Sequence, residues 1–550
     1  MKAIRIFLPL AATLLFGACR GLTGLDDLSF SAETSPGSTS ASSSSGGGVC
    51  DPGLTEACDA QYSGPPGTAG VGICRAPSRV CDAEGAAFGP CEGEVLPQVE
   101  DCGTQDVDES CDGKAACDGT GLWARAYGEA ANVDVCGVAV DPAGNLFLAG
   151  TFKGGTVDLG GAPLTSSTYR ALFIVKLDPE GGHVWSRAVK GSMEQECEGL
   201  DVDGEGNVLV AGYYIDGALD FGGGPLPAAV GSDAYYAKLN GVDGQPVWTM
   251  AVGGAGDQSG RGIAADGQGG VYLLGRFQNT IQLGVYSLTA KVQNETFAAM
   301  LTPDGKVVVA QQYSASGYLH GVAIAAGKAT NDMAFAGQIG GMGTFGDTAL
   351  TGSTTNYDSF IVWQKAFASM VWARGIVGAN LQRVGALAFD GAGGLLAAGQ
   401  FQSTVDFGGI QMTATGDDGF VVRYDETGSA TWATAFGGTS EQDVGSVAVD
   451  GAGFVLATGK FSGELIVGDK KALNAGQIDL FVAKLHPATG DVIWLRTFGG
   501  ILDETAGAVA GDSLGNSVVM GKFTGNLDFG GPKGSLLSSE GDAYIVKLAP

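Results

Sequence analysis

The chain has 550 residues, 45% of them hydrophobic, so it is long enough to bury a sizeable core. Glycine and proline make up about a fifth of the residues, which is below the level that indicates a low-complexity chain. Acidic residues outnumber basic ones 59 to 30, and the net charge of −29 argues against a nucleic-acid-binding surface. After the first twenty residues, no apolar run approaches the roughly 20 residues that a membrane-spanning helix needs.

Residues 1–19 have the layout of an export signal. Lys2 and Arg5 precede a short apolar stretch, and a Gly-Ala pair leads directly into Cys19. This order resembles the lipobox of bacterial lipoproteins, in which the cysteine is acylated and becomes the mature N-terminus. The resemblance implies lipidation at Cys19 and attachment to the bacterial cell envelope, with the outer membrane surface as the expected location. The alternative is an ordinary secretory signal with an incidental cysteine.

Residues 20–49 are predicted to be a flexible tether. Their Ser/Gly-rich text, SAETSPGSTSASSSSGGG, has nothing to pack and should behave as a coil. About twenty such residues hold a folded body on the order of 25 Å from an anchor. Anchor, tether and folded body together are the layout of a surface-displayed lipoprotein.

Residues 50–118 are predicted to be a small disulfide-rich module. Of the eleven cysteines in the chain, ten remain if Cys19 carries lipid. Eight of the ten lie in this segment: Cys50, Cys58, Cys74, Cys81, Cys91, Cys102, Cys111 and Cys117. None of their spacings is C-x2-C and no histidine lies among them, so disulfides are favoured over zinc, with the connectivity left open. The text from Tyr62 to Gly113 resembles a cysteine-rich module of bacterial surface lipoproteins, which implies a location more than a chemistry.

One acidic stretch of this module matches the start of a calcium loop. Asp108, Ser110 and Asp112 follow the pattern D-x-[DNS]-x-[DN]-G, whose oxygen atoms suit Ca²⁺. The twelfth position of such a loop should be a bidentate Glu, and here it is Gly119. Calcium is therefore a possible cofactor, although an acidic turn bounded by disulfides is the favoured interpretation. We expect no other cofactor.

Residues 119–550 repeat with a period of about 62 residues. The repeat is marked by six tryptophans: Trp123, Trp185, Trp248, Trp372, Trp432 and Trp494. In the unit that lacks one, Val309 takes its place. Each tryptophan strand is followed by an apolar strand ending in Asp and then by a second strand such as NLFLAGTF. A connection such as VDFGG, predicted to be solvated, leads to a third strand such as ALFIVKLD.

Four-stranded units that cannot bury both faces alone must stack, and a ring of them leaves only short edges. Each strand type occurs seven times, but the series begins with a lone tryptophan strand and ends with a lone third strand. A seventh blade is complete only if its outermost strand comes from the N-terminal end. The sequence therefore predicts an all-β fold, a seven-bladed propeller with Velcro closure. The G-V-A-V-D, N-x-F-L-A-G and V-D-F-G-G motifs resemble SBBP-type β-propeller repeats of bacterial exported proteins, a resemblance that implies the fold and little else.

Cys136 and Cys197 are predicted to form a disulfide between blades one and two. They lie five and six residues before the inner-strand aspartates Asp141 and Asp203, and inner strands of adjacent blades converge toward the axis. The offset of one residue argues against the bridge, because alternate residues of a strand face opposite ways. The alternative is that one or both cysteines bond to the module.

The loops that enter the inner strands are predicted to form an acidic rim. They carry Asp134, Glu194, Glu196, Asp257, Glu441, Asp443, Asp503 and Glu504, while blades four and five offer His320 and Arg383. Such a ring can hold a hard cation or a basic ligand, or it can simply be a solvated acidic surface. The D-x-x-G-N aspartates recur in six blades and are interpreted as hairpin turns in which the carboxylate accepts bonds from nearby backbone N–H groups.

The sequence favours a non-enzymatic function. No Walker loop, H-E-x-x-H or G-x-S-x-G motif occurs, and His320 has no partnered nucleophile. We expect a lipid-anchored binding or display propeller, monomeric, with no nucleic-acid partner, that presents an acidic rim to an extracellular protein or carbohydrate. The alternatives are a calcium-dependent carbohydrate-binding adhesin and a propeller enzyme, a hydrolase or lyase, with a site in the channel.

Overall fold

The computed structural model describes residues 50–64, 68–98, 102, 107–109, 117–128, 132–191, 193–365, 369–531 and 534–550. Cys19, the tether, Ser110, Cys111 and Asp112 lie outside the described residues, so the predictions about them stay predictions. Within the described ranges, no helix is long and apolar enough to cross a membrane.

The chain separates into two compact units. Of the described residues, the first unit comprises those of 50–55 and 80–89, and the second comprises those of 56–79 and 90–550. The described regular structure before residue 118 is limited to the strands Thr55–Ala57 and Ser78–Val80 and the 3-10 turn Asp59–Gln61.

Disulfides hold this N-terminal region, as predicted. Within the first unit, Cys50 is bonded to Cys81, with Cα atoms 6.0 Å apart. The second unit contains two more bridges of the same region, Cys58–Cys91 and Cys102–Cys117. Cys74 is disulfide-bonded as well. Such a density of disulfides is typical of exported and extracellular proteins.

From residue 121 onward, the second unit is a seven-bladed β-propeller, and each blade has four main antiparallel strands. The inner strands are Asn132–Val140, Glu194–Val202, Ser259–Ala265, Tyr318–Ala326, Gln382–Phe389, Gln442–Val449 and Glu504–Gly511. The second strands are Leu146–Val157, Val208–Gly217, Val271–Phe277, Asp332–Phe345, Leu395–Phe401, Val455–Phe461 and Ser517–Asp528. The third strands are Leu164–Leu177, Ala229–Leu239, Glu295–Leu301, Asp358–Lys365, Asp418–Tyr424, Asp479–Leu485 and Ser535–Leu548. The outer strands are His183–Ala188, Pro246–Val252, Val307–Tyr313, Ser369–Ile376, Ala430–Gly438, Val492–Phe498 and, for blade seven, Gly121–Tyr127.

The ring closes through its two ends, which confirms the predicted closure. Each inner strand contacts the next, and the inner strand of blade seven contacts that of blade one. The outer strand of blade seven, Gly121–Tyr127, pairs with the last strand of the chain, with Trp123 opposite Lys547. In every other blade the four strands follow one another along the chain.

The hydrophobic core lies between neighbouring sheets rather than inside any one of them. In the second strand of blade one, Leu146 and Leu148 pack toward blade seven, while Phe147 and Ala149 pack toward blade two. All four side chains are buried. This two-sided burial explains why the second strands are continuous apolar runs, since both faces of each blade are covered by a neighbour.

The connections between second and third strands are not solvated, contrary to the prediction. The apolar residues of their V-D-F-G-G motifs are almost fully buried, as at Val405 and Phe407, and the connections form β-ribbons or extend the main strands. Only the aspartate faces outward, where Asp406 Oδ1 accepts bonds from two glycine N–H groups. The short ribbon strands are Lys190–Gly191, Leu219–Asp220, Thr280–Leu283, Tyr286–Thr289, Thr348–Gly352, Thr404–Asp406, Gln411–Thr413, Glu464–Val467 and Lys470–Leu473.

The D-x-x-G-N aspartates form hairpin turns, as predicted, and they also form ion pairs that the motif does not indicate. In blade six, Asp450 Oδ1 accepts bonds from the N–H groups of Ala452 and Phe454, two and four residues on. Lys484 on the third strand lies 2.9 Å from the other carboxylate oxygen, and both side chains are fully buried. Equivalent pairs are Lys176–Asp141, Lys238–Asp203, Arg423–Asp390 and Lys547–Asp512.

Candidate functional site

The seven inner strands line a channel with a cavity of about 530 Å³. Most of the lining side chains are Gly, Ala or Val, so the wall is smooth and largely apolar. We call the end at which the inner strands begin the channel mouth. Of the charged lining residues, Glu198 and Arg261 lie toward the mouth, and Asp201 and Lys328 lie toward the opposite end. The turns between third and outer strands lie at the opposite end, because successive strands are antiparallel.

Every inner strand has a β-bulge at the same place, just below the mouth. The register with the second strand slips by one residue there, as between Val135 and Gly137 in blade one. A bulge redirects the extra side chain, and all seven extra residues line the cavity. These residues are Cys136, Glu198, Arg261, Val322, Gly385, Gly445 and Gly507.

The predicted disulfide between blades one and two is present on the channel wall. Cys136 and Cys197 are bonded, with Cα atoms 5.7 Å apart. Cys136 is the bulge residue of its strand, whereas Cys197 pairs regularly with Gly212 on the second strand. The bulge therefore offsets the one-residue shift that argued against the bridge.

Two of the predicted acidic positions meet cations that the sequence analysis did not single out. Asp134 lies 3.1 Å from Arg170 and 2.5 Å from Lys522, which belongs to blade seven. The same guanidinium lies 3.1 Å from Glu196 of blade two. Burial alone would lower the pKa of Arg170, but the carboxylates of Glu196 and Asp134 outweigh it and raise that pKa. Three blades are thus connected by one chain of charges.

Four further acidic positions lie at the mouth and are bonded there. Glu194 accepts a bond from the backbone N–H of Arg170, and Asp257 accepts bonds from Ser232. The remaining two form ion pairs, Glu441–Lys460 at 2.8 Å and Asp443–Arg383. Ion pairs thus occupy the mouth at blades seven, one and two and at blades five and six, so the mouth is more mixed in charge than the mainly acidic rim that the loop sequences indicate.

Asp503 and Glu504 differ from each other although they are adjacent. Asp503 is exposed at the mouth, as predicted. Glu504 is fully buried and accepts a bond from the backbone N–H of Gly500, so its assignment to the rim is wrong. The side chain turns inward because this strand position faces the neighbouring sheet in every blade. Burial raises the pKa of Glu504.

Blades two to four contribute a second group of charges. The bulge residues Glu198 and Arg261 form an ion pair at 2.6 Å. Burial raises the pKa of Glu198, while Arg261 acts against that shift. Arg276 follows on the second strand of blade three, and His320 lies at the mouth on the inner strand of blade four. Burial lowers the pKa of His320, and the charges of Arg276 and Arg261 lower it further.

The cations of the mouth are the candidate functional residues that sequence reasoning missed. Arg276, Lys460 and Lys522 each directly follow the glycine of a second strand, within the text G-[KR]-F. This recurrence is a signal that could have found them. It was obscured because the acidic partners of Lys460 and Lys522, Glu441 and Asp134, lie on other strands, about 20 and several hundred residues away in the chain.

Among the described residues, no group of three or more His, Cys, Asp or Glu side chains is placed to hold a metal ion. Asp108 is buried, and its carbonyl oxygen accepts a bond from the N–H of Ile73. The calcium-loop prediction also needs Ser110 and Asp112, which lie outside the described residues. It therefore stays a prediction.

No protein-family model matches the chain. An uncharacterised WD repeat-containing protein of Acanthamoeba polyphaga mimivirus is 21% identical over 410 residues, which cover 66% of this chain and 27% of that protein. The chain thus spans about a quarter of the length of this curated relative. A relative with repeats agrees with the repeat organisation described above.

Two solved structures from different organisms have a backbone trace similar to that of this chain. The quinohemoprotein alcohol dehydrogenase of Comamonas testosteroni matches with a TM-score of 0.34 and 11% identity, over 77% of this chain and 76% of that chain. Sqt1 from Chaetomium thermophilum matches with a TM-score of 0.35 and 11% identity, over 79% of this chain and 100% of that chain.

Proposed function

We propose that this protein is an exported, non-enzymatic binding propeller whose ligand engages the channel mouth. The observation that carries the proposal is the set of inter-blade ion pairs at that end. It joins side chains from distant parts of the chain, such as Asp134 and Lys522, around a smooth-walled channel. Closely spaced opposite charges provide orientation and specificity for a polar partner. An extracellular protein or carbohydrate is the expected kind of ligand.

The proposal places the propeller on a lipid anchor at the cell envelope. Its support is the basic, apolar, Gly-Ala-Cys order at the N-terminus, together with a disulfide content typical of exported proteins. Metabolic labelling with an alkyne fatty acid should mark the wild-type protein and not a Cys19→Ala variant. Equal labelling of both, or no labelling of either, would remove the anchor from the proposal.

The binding surface can be tested without changing the net charge. Lys153, at the mouth, lies 3.4 Å from Glu194. The double variant Lys153→Glu/Asp503→Lys exchanges two charges there. The matched control, Asp304→Lys/Lys306→Glu, exchanges two charges in an exposed turn at the opposite end. Both variants and the wild type are labelled and applied to an array of defined glycans and peptides. We expect the control to keep the wild-type binding pattern and the mouth variant to lose it by about tenfold or more. Equal patterns for the three proteins would contradict the proposed surface.

A further inference from the structure

One blade interface at the mouth lacks the carboxylate that an equivalent interface has. Between blades seven and one, Lys522 follows the second-strand glycine and forms an ion pair with Asp134 on the next inner strand. Between blades three and four, the same two repeat positions are Arg276 and His320. A cation therefore faces an imidazole where the other interface has an anion.

No bonded anion replaces the missing carboxylate at Arg276 in the part of the chain that the structure describes. Among the described residues Arg276 has no ion-pair or hydrogen-bond partner, whereas Lys460, its counterpart in blade six, pairs with Glu441 at 2.8 Å. Burial lowers the pKa of Arg276 and the charge of Arg261, on the bulge, lowers it further, while the carboxylates of Glu198 and Asp257 act against that shift. We call Arg261, Arg276 and His320 the cation cluster.

The carboxylates around the cation cluster are engaged elsewhere or shared. Glu198 is held by Arg261 at 2.6 Å, and Glu196 by Arg170 at 3.1 Å. Asp257 accepts bonds from Ser232. Two guanidinium groups thus share the nearby carboxylates of Glu198 and Asp257 in a half-buried position, where water and salt screen charge less than at an open surface. In a chain of net charge −29, this pair of guanidinium groups is a local concentration of positive charge.

Two aromatic side chains flank the cation cluster. The ring of Tyr318 lies 5.3 Å from that of His320 and 6.5 Å from that of Tyr357. Tyr318 is fixed by the bond that its hydroxyl donates to the carbonyl of Asn356. Tyr357 is 55% exposed. Aromatic faces beside charged donors provide both apolar contact and polar orientation, which suits a sugar ring that carries an acidic group.

We propose that the cation cluster binds the carboxylate or sulfate group of an acidic saccharide, whose sugar ring packs on Tyr318 and Tyr357. Guanidinium groups bind such oxyanions through paired, charge-assisted hydrogen bonds. The inference rests on the proposed function and names the ligand class for one sector of the mouth. Carboxylated and sulfated saccharides share this chemistry, and the test separates them.

Calorimetry on the full protein tests the site with three probes: a hyaluronan octasaccharide, which carries only carboxylates, a sulfated heparin octasaccharide, and neutral maltohexaose. We expect at least one acidic probe to bind and maltohexaose not to bind. Arg276→Gln should weaken acidic binding by about tenfold or more, and Lys306→Gln, which removes a cation from the exposed turn at the opposite end, should change it less than about twofold. Melting curves establish that both variants are folded.

Each remaining outcome is decisive. Equal weakening by Arg276→Gln and Lys306→Gln would overturn the site, because it would indicate general attraction to cations. If neither acidic probe binds, the proposed ligand class is overturned. A further outcome on the array is that the Lys153→Glu/Asp503→Lys variant loses binding while Arg276→Gln keeps it. In that case the proposed function stands and the anion site does not. A Tyr357→Ala variant should weaken binding of the saccharide without affecting inorganic sulfate.

Discussion

At the scale of single residues, Glu504 occupies a position that four other blades fill with glutamine. In blade six, Gln442 donates from Nε2 to the carbonyls of Ser462 and Glu464, each at 3.1 Å. The equivalent carbonyls in blade seven belong to Thr524 and Asn526, to which an ionised carboxylate cannot donate. Glu504 is therefore a buried acid where the repeat provides an amide.

We expect Glu504→Gln to stabilise the protein near neutral pH by about 1 kcal/mol, because it removes a buried charge and restores the donor. The native state raises the pKa of Glu504, so it binds a proton more tightly than the unfolded state does. Stability is then lost as pH rises from the ordinary glutamate pKa through the raised native pKa. The gain from the variant should therefore disappear at about pH 3, below the ordinary pKa. Denaturant titrations at both pH values measure this, and an equal gain at both would contradict the assignment.

The buried Lys484–Asp450 pair differs from Glu504, because here the buried carboxylate has a cation beside it. Lys484→Met should destabilise the protein by about 3–5 kcal/mol, since it leaves a carboxylate buried without its cation. The loss should be smaller in acid, where Asp450 is protonated. Adding Asp450→Asn should recover part of the loss, because the amide oxygen can still accept from Ala452 and Phe454. No recovery in the double variant would indicate that lost packing of the lysine stem, not charge, dominates.

The sequence predicts the turn formed by Asp450 but not its partner. The turn closes within five residues, so its chemistry is contained in the local text D-x-x-G. Lys484 lies on the third strand, and its proximity depends on how three strands are ordered in the blade. The same limit applies to Glu504, because strand alternation alone does not reveal that this position is covered by the next sheet.

At the scale of elements, the bulge in the inner strand and the glycine in the second strand depend on each other. In six blades, a Cβ on this glycine would overlap the carbonyl oxygen of the residue two positions before the bulge, as at Gly399 and Arg383. The glycine therefore permits the close approach that the bulge requires. The sequence shows the conserved spacing of this glycine within the repeat, but the slip in register becomes visible only when the strands are paired.

Two glycines of blade five provide a matched test of this dependence. Gly399→Ala should destabilise the protein by about 2–4 kcal/mol, because the new methyl group meets backbone that cannot move without breaking the pairing. Gly385→Ala, at the bulge itself, adds a methyl group to open channel and should change stability by less than about 0.5 kcal/mol. Thermal or urea unfolding compares the two. Similar effects of both substitutions would show that the close approach is unimportant.

At the scale of the whole molecule, repetition made the fold predictable and the site only partly so. Seven copies of each strand type, out of phase by one strand, determine a closed ring, and the structure has that ring. Departures from the repeat are harder to interpret, because Cys136, Arg261 and Arg276 gain their neighbours only when blades are placed side by side. Acidic residues of the entering loops were found from the sequence, and their cationic partners on second and third strands were not.

The strand that closes the ring, Gly121–Tyr127, should affect the stability of all seven blades. Trp123 lies on the only outer strand that is distant in sequence from the rest of its blade, opposite Lys547, whose amine lies 2.8 Å from buried Asp512. Trp123→Ala should cost about 3 kcal/mol, the low end for buried tryptophan, since the side chain is half-buried.

Hydrogen exchange decides whether this loss stays local. If the ring unfolds as one unit, the variant should speed exchange in blade four, in strand Asp332–Phe345, as well as in blades seven and one. In an open array with nearest-neighbour coupling, faster exchange would stay next to the altered strand. Trp248→Ala, at the same repeat position in a blade whose strands are contiguous, is the control for loss of packing. Because it leaves the closing strand intact, it should speed exchange in blade four less than Trp123→Ala does, and the reverse order would contradict closure as the source of cooperativity.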